Sequence, residues 1–185
     1  TDGTNTTGDA WVALSIKTVG NSTKALNPGN DKDTGTPAET SISSVMFILF
    51  NGGTGTSTVT DLLEFSSGAA EIGTPGYPNG TAGKAFKVSS TAKGILIVAN
   101  PSTAFKSNVA VGNTYNQVNT AITGTTAADI TQDSKFMMTN SKGGLEPSTS
   151  TGAFLGFTPW PNATAAETNA VSINIDRVSA KVRVY

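Results

Sequence analysis

"SISSVMFILFN", Ser41 to Asn51, decides how this chain is read. Val45, Phe47 and Leu49 fall on one face of an extended segment and Met46, Ile48 and Phe50 on the other, so neither face is left for water. A strand apolar on both faces must be covered on both, which puts it in the middle of a sheet between two further layers. "GILIVANP", Gly94 to Pro101, has the same character through Ile95 to Ala99 and is stopped by Asn100-Pro101.

Outward from these two segments the pattern becomes that of half-buried strands. "AWVALSIK", from Ala10, sets Val12, Leu14 and Ile16 on one face and Trp11, Ala13, Ser15 and Lys17 on the other, and reads as a first strand over Trp11 to Lys17. "KAFKVSS" gives a short strand through Phe86 and Val88, and "KFMMTN" another at Lys135 to Asn140. "VSINIDRVSAKVRVY", Val171 to Tyr185, alternates through Ile173 and Ile175 and again through Val178, Ala180, Val182 and Val184. Its apolar phase slips across Asp176-Arg177, as it would if a β-bulge absorbed one residue and kept a single core face. "TVTDLLEF", from Thr58, suits a short helix or a strand.

In "VGNTYNQVNTAI" the spacing of Tyr115, Val118, Ala121 and Ile122 predicts one helix, with Asn113 or Thr114 as its N-cap. Three polar stretches rich in Gly, Pro, Asn and Thr separate these elements: Thr18–Thr40, Ala70–Gly83 and Ser141–Ala170. Phe154, Phe157 and Trp160 are the apolar anchors that would fold the last of them back onto the body. The expected fold is mainly β, a β-sandwich of about seven strands with one or two short helices.

The chain of 185 residues suffices for one domain with one core. Its net charge of -1 gives no footprint for nucleic acid or for an anionic membrane surface. Cys and His are both absent, which removes disulfides, Cys/His zinc sites and His-dependent catalytic triads together. The longest apolar run, Val45 to Phe50, is far short of the roughly 18 residues of a membrane span. "TDGTNTTGD" at the start has the composition of a tether left after an export signal has been removed.

The short motifs do not assemble into chemistry. "DTG" at Asp33 to Gly35 matches an aspartic-protease triplet, but it has no second copy and sits beside Lys32 in a polar stretch. Asp31 and Asp33 lack the third oxygen residue and the distal Glu of a calcium loop. Ser90 and Lys93 have S-x-x-K spacing without the companion motifs of a Ser/Lys hydrolase. The sequons at Asn5, Asn21, Asn79 and Asn162 follow from the richness in Asn and Thr. Trp160, in "FTPWPN", offers an aromatic face for a sugar or a subunit contact. No enzyme activity, metal or cofactor is expected.

Taken in order, "AWVALSIK", "STKALNPG", "SVMFILFNGG", "GILIVANP", "KFMMTN" and "INIDRVSAKVRV" resemble the fimbrillins of Bacteroidales, the type V pilins of the FimA and Mfa kind. The "V-A-N" after an apolar strand and the closing "R-V-x-A-K-V" are the most specific pieces. The likeness covers nearly the whole chain and only the amino-terminal, transthyretin-like half of such a pilin.

That resemblance implies a structural subunit of a fimbria at the outer membrane of a Gram-negative bacterium, exported as a lipoprotein precursor and supporting adhesion. It implies a processing protease that cuts after the first strand, here at Lys24-Ala25, and donor-strand exchange in which a neighbouring subunit refills the groove left by Trp11, Val12, Leu14 and Ile16. Residues 1–24 would then be leader and detachable strand, and 25–185 the rest of the sandwich, with a carboxy-terminal pilin domain expected beyond it. The departure is that the family's cut usually follows Arg, whereas the first Arg here is Arg177. Either a Lys-tolerant protease acts, or the subunit keeps its strand and terminates or anchors a fimbria. Partners would be other fimbrial subunits, the protease, and glycans or proteins of a host or bacterial surface. A cell-surface glycan-binding sandwich using Trp160 is the alternative reading.

Overall fold

The computed structural model describes residues 8–18, 41–76, 80–123, 126–131, 135–140, 155–156 and 158–178. The central strand of the sequence reading is β3, Ser44–Phe50, and it lies antiparallel between β4, Val59–Ser66, and β6, Gly94–Ala99. Its two apolar faces feed two separate cores. Val45, Phe47 and Leu49 join Ile95, Ile97 and Ala99 in one cluster, while Met46, Ile48 and Phe50 join Leu96 and Val98 in the other.

Different layers cover the two faces. The first cluster is closed by a two-stranded antiparallel sheet of β1, Ala10–Val12, and β5, Phe86–Val88. Phe86 from this small sheet stacks on Phe47 from the large one, with centroids 5.1 Å apart and planes 9° from parallel, and Phe65 tilts against both. The second cluster is closed by helices α1, Thr103–Ser107, and α2, Tyr115–Thr123, through Phe105, Tyr115 and Val118. A β-sandwich therefore carries a helical layer on its outer side.

Among the described residues the large sheet has seven strands, in the order β2-β9-β7-β6-β3-β4, with β8 also on β6. Here β2 is Leu14–Thr18, β7 Met138–Thr139, β8 Leu155–Gly156 and β9 Val171–Arg177. Two further short helices, α3 at Ala127–Ile130 and α4 at Ala163–Thr168, bring the helices past the one or two expected.

The segment "TVTDLLEF" is a strand, with Val59, Asp61, Leu63 and Phe65 buried in alternation. The bulge is here and not at Asp176-Arg177. Register shifts between Leu49 and Phe50, which pair with Asp61 and Val59, so Thr60 is the extra residue. The shift sends Val59 to the helical core, while Leu63 and Phe65 go to the other. In β9, by contrast, pairing runs evenly through Met138↔Arg177, Thr139↔Asp176 and a Val178 N–H bond to the Met137 carbonyl at 2.9 Å. The phase slip there is a change of core: Ile173 and Ile175 face the inter-sheet cluster, and Val178 packs against the helical one. The later residues of that segment lie outside the described ones.

Local polar groups set several of the ends. Thr114 is the N-cap of α2, its Oγ1 accepting from Gln117 N at 3.2 Å while Gln117 Oε1 accepts from Thr114 N at 2.8 Å, a reciprocal capping box. Asn162 Oδ1 caps α4 by accepting from Ala165 N at 2.8 Å, which gives that sequon a structural occupation. The "KFMMTN" strand is cut to two residues because Asn140 takes over its pairing with a side chain. Asn140 Oδ1 accepts from Ile97 N at 2.8 Å and its amide donates to Ile95 O at 3.1 Å, bridging β6 between its partners β7 and β8.

Candidate functional site: the seat of the first strand

The expected first strand is two strands. Residues 10–12 belong to the small sheet, antiparallel to β5, whereas Leu14–Thr18 form the end of the large sheet, parallel to β9. Ala13 lies between them, 1% exposed, with its carbonyl accepting from Val171 N at 2.9 Å. Val12, Leu14 and Ile16 are buried in the inter-sheet cluster as the alternation required. The small sheet and the large sheet thus share one stretch of chain.

Both edges of this stretch are occupied. On the side of β1 away from β5, Trp11 and Trp160 exchange a pair of backbone hydrogen bonds at 2.8 and 2.7 Å. On the side of β2 away from β9, residues before β5 close the edge. Gly76 N donates to Ile16 O at 3.3 Å, Thr18 N to Gly76 O at 3.2 Å and Gly83 N to Leu14 O at 2.9 Å, while Ser15 Oγ donates to Gly80 O at 3.0 Å. A Cβ at Gly80 would collide with the Ile16 carbonyl oxygen, so the approach of this segment to β2 requires glycine there.

Two carboxylates pin the ends of the seat. Asp9, just before β1, accepts from Ser90 N at 2.7 Å and from Ser90 Oγ at 2.9 Å. The Ser90 backbone N–H, and then its hydroxyl, hold the Asp9 carboxyl below its ordinary pKa. Glu167 on α4 accepts from Ala85 N at 3.1 Å and pairs with Lys84 at 3.3 Å, and these contacts lower its pKa in the same order. Beside them the buried Asp61, 1% exposed, receives Ser89 N on both oxygens at 3.0 and 3.1 Å. Ser90 is therefore engaged with Asp9 rather than with Lys93, and the S-x-x-K spacing has a structural role.

Trp11, Val12, Leu14, Ile16 and Trp160 are brought together; Lys24, Ala25, Asp31, Asp33, Phe154 and Phe157 lie outside the described residues. Trp160 touches the strand through its backbone and is 37% exposed. Sequence reading missed the whole second edge. The signals were Gly80, whose small size permits the approach, and Asn162, whose cap starts the helix that leads into β9.

Among the described residues no group of three or more Asp or Glu is placed to hold a metal ion, and no helix is long and apolar enough to cross a membrane. The family model of the major fimbrial subunit protein (FimA) matches residues 12–177, from the first strand to the last residue of β9. The chain belongs to the FimA family. Comparison with curated proteins gives no match. As a FimA-family fimbrillin it is a structural, non-enzymatic subunit of a cell-surface fimbria and assembles with other fimbrial subunits.

Proposed function

We propose that this FimA-family subunit polymerises by protease-triggered donor-strand exchange, with residues 10–18 as the strand that leaves. One observation carries the reading: this stretch is hydrogen-bonded on both edges while supplying Val12, Leu14 and Ile16 to the inter-sheet core. A strand so placed leaves a groove walled on both sides, and a replacement could recover both the buried area and the backbone bonds. The cut falls at Lys24-Ala25, in the polar segment between β2 and β3, by a Lys-tolerant protease. Residues 25–185 then form the acceptor. The subunit reaches the outer membrane as a lipoprotein precursor, and the assembled fimbria supports adhesion.

Limited digestion of the folded chain with trypsin tests this. The expected result is a resistant core beginning at Ala25, release of residues 10–18 and the appearance of oligomers. A cut at Lys24 after which the strand stays bound and the protein stays monomeric would assign a capping or anchoring role instead.

A second reading is favoured by one arrangement. Trp160, Trp11 and Lys87 are successive cross-strand neighbours, with the Lys87 ammonium 5.5 Å from the Trp11 ring centroid, so a row of two indoles and a cation lies on the outer face of the small sheet. Such a row suits the apolar face of a pyranose. Binding on a glycan array that disappears in Trp160→Ala would support adhesion through this face, and an array blank for both proteins would remove it.

A further inference from the structure

The seat of the first strand carries directional information that the apolar pattern lacks. β1 runs antiparallel to β5 and to Trp160, whereas β2, one residue further on, runs parallel to β9. Antiparallel pairs make perpendicular hydrogen bonds at alternating spacing, and parallel pairs make slanted bonds at even spacing. Reversing the occupant would interchange the two patterns along its length. The N–H groups of Trp160, Val171, Gly76 and Gly83 would then be aimed at the wrong backbone positions, on both edges at once.

A second constraint sits between the strands. Val12, Ala13 and Leu14 are consecutive and all 1% exposed, and at Ala13 the chain passes from the small sheet to the large one. Ala13 lies outside the apolar cluster that holds its two neighbours. Ala13 is nonetheless covered, so a larger side chain there overpacks its surroundings.

We infer that the groove selects its donor by direction and by one small residue. The strand it takes from a partner subunit runs in the sense of residues 10–18 and is apolar at the positions of Val12, Leu14 and Ile16. It carries Ala or a residue of similar size at the position of Ala13. This selection rests on the exchange reading proposed above and adds to it a rule for which strands fit.

The test uses the full chain with a sequence-specific protease site inserted between Lys24 and Ala25, nicked after folding. Two labelled peptides compete with the resident segment: residues 8–18 and the same peptide with Ala13→Leu. Direction is read from spin labels: one at Thr91→Cys, unique in a chain without cysteine and next to the Ser90 that holds Asp9, and one at either end of the native-order peptide. The native-order peptide should exchange with its amino end near Thr91 and its carboxyl end about 30 Å away, and the Leu peptide should bind at least about tenfold more weakly, the cost of a modest overpacking. Equal binding of the Leu peptide, or a carboxyl end nearer to Thr91 than the amino end, overturns the selection rule while leaving exchange intact. If the native-order peptide also fails to enter, the exchange reading itself falls, and the rule with it.

Discussion

Expressed without residues 1–24, the chain should fail to give a stable monomer, and adding a peptide of residues 8–18 should restore the fold. Val12, Leu14 and Ile16 are 1% exposed or less, and burying each contributes about 1.5 to 3 kcal/mol, or roughly 5 to 9 together. A domain of this size has only about 5 to 15 kcal/mol in all, so the loss approaches the whole. Backbone groups freed on Gly76, Gly83, Trp160 and Val171 can turn to water, so the deficit lies mainly in the uncovered apolar surface. Phe86 and Val88, which β1 helps to cover, would stand over a partly opened core. Circular dichroism and size-exclusion of the truncated chain, with and without peptide, give the measurement. A truncated chain that is monomeric and melts within a few degrees of the intact one would mean that the strand is an accessory, and exchange would lose its driving force.

The same energetics separate the two halves of the polymerisation problem. Locally, exchange replaces one set of apolar side chains and ladder bonds by an equivalent set, so it is near neutral and cannot set its own direction. In the proposed exchange, cleavage would supply direction by turning a tethered strand at very high effective concentration into a free peptide that dilutes away. An Arg-specific enzyme has no site before Arg177, so the proposed exchange needs a protease that cuts after Lys, for which we propose Lys24.

Strand character was legible wherever burial is two-sided or cleanly alternating. The faces of β3 and β6 follow from the sequence residue by residue, because a continuous apolar run has no other arrangement in a sheet between two layers. Val12, Leu14 and Ile16 were legible as one face, but the break at Ala13 was not, since an alanine fits either a surface or a crossing. The Val171–Tyr185 segment was misread at its phase slip. Periodicity reports that the buried face changes; only the position of the helical layer says that a second core receives Val178. Short helices such as α1 and α4 have too few turns to show a period. Their caps, Ser102 and Asn162, were the available signal. The edge of β2 away from β9 escaped, because it is made largely by backbone groups of Gly76, Gly80 and Gly83, which carry no apolar pattern.

Asn100→Ala should destabilise the subunit by about 3 to 5 kcal/mol, well beyond an ordinary surface change. Asn100 ends β6 in the left-handed region at φ 54° and is 9% exposed. Its amide donates to Ser41 O at 2.8 Å and to Phe136 O at 3.0 Å, and its Oδ1 accepts from Ser43 N at 2.8 Å and Ser43 Oγ at 3.0 Å. One side chain thus closes the lead-in to β3 and the lead-in to β7 against the end of β6. Alanine leaves those groups short of partners, at about 1 to 3 kcal/mol for each that stays dry, and adds about 1 kcal/mol of left-handed strain. Asn100→Gly removes the strain alone and should recover about 1 kcal/mol of the loss. Asn100→Asp keeps the acceptor, loses both donors and brings a carboxylate against two carbonyl oxygens, so it should be no better than alanine. Urea midpoints of the three variants give the ranking Gly above Ala, with Asp at or below Ala; three values within about 0.5 kcal/mol of the parent would refute the role. None of the partners of Asn100 lies in residues 10–18, so this side chain supports the closure of the sheet and not the groove. Loss of stability in Asn100→Ala with an unchanged preference among donor peptides is therefore the expected pairing, and it separates what holds this fold together from what the proposed groove selects.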